Sequence, residues 1–212
     1  MNLLGRCYLN MYLVRPSYIL KKLYPEALWR VNTLDKKIYL TFDDGPVPIL
    51  TPWVLDLLKE KNIKATFFCV GENVRNNPEI FQRIMDEGHR VGNHTYNHLN
   101  GWNAHTSEYI NNINKCAELV QSRLFRPPYG KLKKSQSAIL RKRFKIVMWD
   151  VLSGDYDKNT SPEKCFQNVI ENVRTGSVIV FHDSYKAEEK MRYALPLFID
   201  RALKNKFSFE LL

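Results

Sequence analysis

From residue 37 onward, short runs rich in β-branched and aromatic residues alternate with longer stretches whose apolar positions recur every three to four residues. The pattern predicts strands over 37–42, 65–70, 90–93, 146–149 and 177–181, and helices over 52–61, 78–87, 107–121, 162–174 and 191–204. Three helix starts are marked by Thr51-Pro52, Asn77-Pro78 and Ser161-Pro162. In each, a capping residue is followed by a proline whose missing N–H has no intrahelical partner to lose. Gly88 and Gly176 stand just past helix ends, where a left-handed residue commonly closes the last turn. Strand and helix alternating at this spacing argue for an α/β chain, with a mostly parallel sheet or barrel inside and helices outside. In such a fold the functional side chains gather just beyond the C-terminal ends of the strands.

Composition narrows the class further. At 212 residues and 25.0 kDa the chain is long enough for one domain with a sizeable core. With 44% hydrophobic and 25% charged residues it is neither disordered nor of low complexity. The apolar N-terminus is broken by Arg6, Arg15 and Lys21-Lys22, so no uninterrupted run is long enough to span a bilayer.

The net charge of +10 is uneven: residues 1–36 carry a net +4 and residues 131–145 a net +7 with no acid. A nucleic-acid surface would interleave such cations with stacking aromatics, and the second cluster holds only Phe144. It therefore reads as a solvated basic helix face, and no nucleic-acid partner is expected. Cys7, Cys69, Cys116 and Cys165 lie far apart without a CxxC pair, which argues against a zinc ribbon, a redox pair or a disulfide scaffold and favours a reducing compartment. The N-terminus lacks the features of a secretory leader. Residues 1–36 are expected to form a basic, aromatic extension that packs on the domain or lies on a membrane surface, giving a cytoplasmic or membrane-peripheral location. The sequence specifies no oligomeric state.

Four short stretches at predicted strand ends carry candidate chemistry. The first strand runs into Asp43-Asp44-Gly45-Pro46, two adjacent carboxylates at a turn. Neighbouring carboxylates repel unless a cation holds one and leaves the other free to act as a base; solvated acids in an Asx-type turn are the plainer alternative. The third strand runs into His94-Thr95-Tyr96-Asn97-His98, two imidazoles at i and i+4, a spacing that suits a divalent metal. Two His and one carboxylate make a common open metal site, and the strand-end acids are the obvious source of the third ligand. Arg126-Pro127-Pro128-Tyr129-Gly130 is a proline-set loop that can aim a guanidinium at a carboxylate and present the N–H groups of Tyr129 and Gly130. Residues 178–183 form a buried strand ending in His182-Asp183, a suitable place for a general acid, although a core histidine fits there too.

Taken together, TFDDGP at 41–46, HTYNH at 94–98, RPPYG at 126–130 and VFHD at 180–183 resemble, in order and spacing, the motifs of the polysaccharide deacetylases, the family sharing the NodB homology domain, also known as carbohydrate esterase family 4. The resemblance spans about residues 37–212 and implies a distorted (β/α) barrel of the NodB type over that range. It also implies a metal-dependent amidase that removes acetyl groups from N-acetylated sugars or glycans. On it, Asp44, His94 and His98 would bind a divalent metal, Zn²⁺ first and Co²⁺ or Ni²⁺ as alternatives. Asp43 would be the base, His182 the acid with Asp155 as its partner, Arg126 would orient Asp43, and the Tyr129 N–H would help hold the oxyanion. Three positions depart from the family pattern: Leu152 and Tyr156 stand where an Asp and a Trp are usual, and Val180 where a Leu is usual. These bear on the substrate more than on the reaction class, so a non-polymeric or lipid-linked acylated amine, or an inactive glycan-binding protein on the same fold, remain as alternatives.

Overall fold

The computed structural model of the protein describes residues 12–212. Its strands are β1 (Lys37–Asp43), β2 (Thr66–Cys69), β3 (Arg90–Asn93), β4 (Leu124–Phe125), β5 (Lys145–Ile146), β6 (Val151–Leu152), β7 (Val178–His182) and β8 (Ser208–Phe209). They form one parallel sheet in the order β5-β4-β3-β2-β1-β7-β6, with β8 beside the start of β1. The helices are α1 (Tyr18–Leu23), α2 (Leu50–Glu60), α3 (Gly71–Asn76), α4 (Pro78–Asp86), α5 (Thr106–Ala117), α6 (Lys134–Leu140), α7 (Pro162–Ile170) and α8 (Glu188–Lys204). The sheet curls into the expected distorted barrel of parallel strands with helices outside.

The two-residue period of β1 sorts its side chains onto two faces. Ile38, Leu40 and Phe42 join the layer built with Leu55 and Leu58 of α2 and with Leu195 and Phe198 of α8. Each such side chain contributes roughly 1.5–3 kcal/mol by leaving water. Tyr39 lies on the other face, with Phe68, Leu124, Val147 and Val178 inside the curl. Thr41 and Asp43 continue that inner face toward the C-terminal end of the strand. β7 pairs with β1 so that Thr41 faces Val180 and Asp43 faces His182. Register alone thus brings an acid and an imidazole to the same rim.

Several boundaries differ from the sequence pattern for local reasons. α2 begins at Leu50, behind Ile49 with φ 67°, so Thr51 lies inside the helix rather than capping it. Its hydroxyl instead accepts from Val47 N–H (2.8 Å) and donates to Asp183 Oδ2 (2.6 Å). Ser161 does cap α7, accepting from Lys164 N–H, while Asn77 precedes Pro78 without a side-chain cap. The strand expected over 146–149 is cut to β5, and beyond it Val147 bridges to Leu28. Of the basic residues at 131–145, Lys134, Arg141, Lys142, Arg143 and Lys145 are exposed, as a solvated face requires.

The described part of the N-terminal extension is built into the domain. Tyr24 and Trp29 are buried among Tyr109, Phe125, Phe144 and Met148. Cys7 lies outside the described residues. Cys69, Cys116 and Cys165 are buried free thiols, and burial pushes the pKa of each upward. No helix among the described residues is long and apolar enough to cross a membrane.

Candidate metal and acid–base site

The turn after β1 is assembled by its neighbours. Asp44 adopts φ 86°, a left-handed conformation that a non-glycine residue keeps only when its surroundings enforce it. Asn73 Nδ2 donates to Asp44 O (2.7 Å), and Asn77 Nδ2 donates to Pro46 O (3.2 Å). From the far side, Asp183 Oδ1 accepts Gly45 N–H (3.0 Å). A Cβ on Gly45 would overlap the Asp183 carboxylate, so glycine is required here for close approach. Burial pushes the Asp183 pKa up to about 8, against hydrogen bonds from Thr51 and Gly45 that act to lower it.

This turn presents Asp44 to the two histidines that follow β3. Asp44 Oδ1 lies 3.2 Å from His98 Nε2 and 3.7 Å from His94 Nε2. One donor atom from each of the three residues falls within 4.8 Å of the others. His94 Nδ1 is 2.8 Å from Arg126 O. Because a carbonyl only accepts, that nitrogen carries the proton and Nε2 is left with its lone pair. His98 Nδ1 stands 3.1 Å from the Tyr129 hydroxyl, a group that can donate or accept.

The electrostatics match a cation site. Burial pushes the His94 pKa down to about 4, so the ring is neutral near pH 7, as a metal ligand must be. Burial alone would raise the Asp44 pKa, but the neighbouring imidazoles, His98 first, with His182 and His94, hold it well below the usual carboxylate range. Asp44 Oδ1 is itself buried with no hydrogen-bond partner. A buried, ionised oxygen without a hydrogen-bond partner, beside two imidazole nitrogens, is the donor set of a divalent metal site, and the residues fit one.

On one flank stands Asp43, whose Oδ1 accepts from Arg126 Nη1 at 2.5 Å. Arg126 also donates to Thr41 Oγ1 (2.8 Å) and Met148 O (3.0 Å), and its guanidinium lies 4.0 Å from the centre of the Phe68 ring. A buried cation tied at both terminal nitrogens, its Nε alone without a partner, holds the carboxylate in one orientation. On the other flank, His182 Nδ1 donates to Asp155 Oδ1 and His182 N–H donates to Asp155 Oδ2, both at 2.7 Å. Burial acts to lower the His182 pKa, but the charge and hydrogen bond of Asp155, with Asp44 and Asp43, raise it to about 9. The imidazole is therefore cationic at neutral pH and able to donate a proton.

Every residue singled out in the sequence lies at this rim, with one adjustment at the 126–130 loop. Gly130 N–H turns back to Pro127 O (3.0 Å), so of the two N–H groups expected there only that of Tyr129 is left for an oxyanion. Tyr129 itself adopts φ 60° and sets its ring edge-on to His98, with centroids 4.6 Å apart. The three departures from the family pattern cluster beside the acid: Leu152 pairs with Val180 in register, and the Tyr156 ring meets His182 edge-on at 4.8 Å.

The sequence pattern did not single out Thr41, Thr51, Asn73 or Asp183 for the clamps they form, nor Lys186, whose Nζ lies 3.1 Å from Asp44 Oδ2. Thr41 and Asp183 had a signal, their places in the stretches that carry Asp43 and His182; Thr51, Asn73 and Lys186 lie where only folding brings them to the site.

Comparison with known proteins agrees with this geometry. Residues 30–143 match the family described as polysaccharide deacetylase. A peptidoglycan-N-acetylglucosamine deacetylase of Bacillus cereus is 41% identical over 155 residues, which cover 70% of this chain and 56% of that protein, so the chain spans just over half the length of that relative. The solved structure of a peptidoglycan N-acetylglucosamine deacetylase superposes with a TM-score of 0.83 at 35% identity, covering 88% of this chain and 91% of the other. A carbohydrate esterase family 4 pseudoenzyme from Bacillus anthracis superposes with a TM-score of 0.77 at 25% identity, covering 92% and 70%.

Proposed function

The chain belongs to the polysaccharide deacetylase family, and from that premise we propose that it is a metal-dependent hydrolase of the N-acetyl amide on an amino sugar, within a peptidoglycan- or chitin-like glycan. The observation that carries the reading is the register pair Asp43 and His182 flanking the Asp44, His94 and His98 donor set. Bound there, a divalent cation, Zn²⁺ in the first instance and Co²⁺ or Ni²⁺ as alternatives, would supply positive charge that acidifies water and polarises the acetyl carbonyl.

The chain's own residues perform the rest. Asp43, held by Arg126, accepts the proton of the attacking water. The Tyr129 N–H faces the oxygen on which negative charge develops, a contact type worth about 3–4 kcal/mol. His182, kept cationic by Asp155, protonates the departing amine, since an amine leaves poorly as its anion. Acid and base assistance of this kind typically contributes about 10² to 10⁴-fold each.

The experiment is acetate release from N-acetylated substrates, from monosaccharide through chitin oligomers to peptidoglycan, with and without added metal. Metal-dependent release from an oligomer or polymer supports the proposal, and no release from any of them contradicts it. The pseudoenzyme among the structural neighbours favours a second reading, glycan binding without turnover, which predicts retention on the glycan and no acetate. The departures at Leu152, Tyr156 and Val180 favour a third, an acylated amine that is small or lipid-linked, to be tested with such substrates in the same assay. We further propose a cytoplasmic or membrane-peripheral location, with contact through the basic N-terminal segment. Co-flotation with anionic liposomes at low salt but not at high salt would support the contact.

A further inference from the structure

β5 and β6 are the two ends of the curled sheet, and residues 12–28 run between them. On one side, Leu28 N–H donates to Ile146 O and Met148 N–H donates to Leu28 O, both at 2.8 Å. On the other, Leu152 N–H donates to Val14 O (2.8 Å), and Trp149 Nε1–H donates to Leu13 O (3.3 Å). Arg15 and Lys21 reach the fully buried Asp150 at 3.3 and 3.5 Å, where Arg174 and Ser177 also bind. The segment is a strap fixed by backbone pairing and by charge to the edge that leads into the turn carrying Asp155.

Tyr12 sits on that turn. Its hydroxyl is 2.7 Å from Thr160 Oγ1 and accepts from Asn168 Nδ2 at 2.9 Å, and the same amide donates to Ser153 O at 2.9 Å. The Tyr12 ring lies 5.8 Å from that of Tyr156, which in turn packs edge-on against His182. At Gly154, φ is +77° and a Cβ would overlap the Tyr12 ring and hydroxyl, so the turn admits the tyrosine only with glycine at this position. Tyr12 thus bonds two side chains, Thr160 and Asn168, the second of which also holds Ser153 O, and it meets the turn itself at Gly154 and at the Tyr156 ring.

We propose that the N-terminal strap positions the acid pair, with Tyr12 as the positioning residue that holds the 153–156 turn and thereby the orientation of Asp155 and His182. This rests on the reaction proposed above. The test uses the full chain with metal bound, comparing wild type with Tyr12→Phe, which keeps the ring, and Tyr12→Ala, which removes it. Misplacing a catalytic group by about 1 Å lowers rate roughly 10²-fold. On that scale Tyr12→Ala should lower kcat by about 30-fold or more and Tyr12→Phe by about 3- to 10-fold, with KM and metal content within about twofold of wild type. Because the strap acts through Asp155, Tyr12→Ala added to Asp155→Asn should be no slower than Asp155→Asn alone. Normal kcat in Tyr12→Ala, or losses that multiply in the double variant, would overturn the proposal.

Should no variant release acetate from any substrate, the reaction reading fails by itself, and the strap is judged by the His182 Nδ1 proton in NMR spectra. That proton should be protected in wild type and Tyr12→Phe and exchange-broadened in Tyr12→Ala; equal protection in all three would sink the idea. If Tyr12→Ala does not fold, Asn168→Ala cuts the ties to Tyr12 and Ser153 while leaving the Val14 pairing, and the same two outcomes apply.

Discussion

Replacing Asp155 with Asn removes one charge from a fully buried position and leaves the shape of the site nearly unchanged. In the wild type, burial pulls the His182 pKa down while Asp155, followed by Asp44 and Asp43, lifts it to about 9 from its ordinary 6.5. That rise is on the order of 3 kcal/mol of preferential binding to the cationic imidazole. A folded-state pKa above the unfolded one means that this stability is fully present below pH 6.5 and is lost as pH rises through about 9. Without the Asp155 charge and hydrogen bond, burial is opposed only by Asp44 and Asp43, so the His182 pKa falls and less of the imidazole is cationic and able to act as an acid near pH 7. Acetate release by the wild type should therefore persist above neutral pH and fall on the alkaline side as His182 loses its proton. In Asp155→Asn, kcat near pH 7.5 should drop by about 10²-fold or more. Urea unfolding of both metal-free proteins at about pH 6 and about pH 9.5 should show a stability gap that shrinks by on the order of 3 kcal/mol at the higher pH. Parallel pH profiles and a constant gap would refute the reasoning.

Other substitutions separate the remaining roles. Asp43→Asn should keep its metal and lose about 10² to 10⁴-fold in kcat, as loss of a general base predicts; near-normal turnover with metal bound would remove Asp43 from the mechanism. Arg126→Lys cannot span Asp43, Thr41 and Met148 O together, so kcat should fall by about 10- to 100-fold at unchanged metal content; an unaltered rate would show that the fork is not needed. Gly45→Ala forces a methyl into the Asp183 carboxylate and should destabilise the fold by at least about 1–3 kcal/mol in thermal or urea denaturation. An unchanged melting temperature would mean that the turn relaxes freely.

The strands of the α/β core were legible in the sequence where they form a run of β-branched and aromatic residues. β1 and β7 are runs of seven and five mostly apolar residues, and the side-to-side geometry of a strand that buries Phe42 and Phe181 against the helices turns Asp43 and His182 inward. β4, β6 and β8 have two residues each, too few for any period to register. The Thr51-Pro52 pair carries the local signal of a helix cap. The actual partner of Thr51, Asp183, is 132 positions away, and nothing local encodes that contact. The acids and imidazoles were legible because their chemistry restricts residue type at strand ends. The parts that hold them were not, since Asn73, Thr51 and the strap around Tyr12 use common polar residues whose roles arise from tertiary proximity.

The central claim is that Asp44, His94 and His98 form one cation site. Calorimetric titration of Zn²⁺ into the metal-free protein tests it most directly, with Asp44→Asn, His94→Gln and His98→Gln titrated alongside. One equivalent bound by the wild type, and binding weakened by at least about 10-fold in each variant, is the predicted result. Undiminished binding in all three variants, or none in the wild type, would contradict the account.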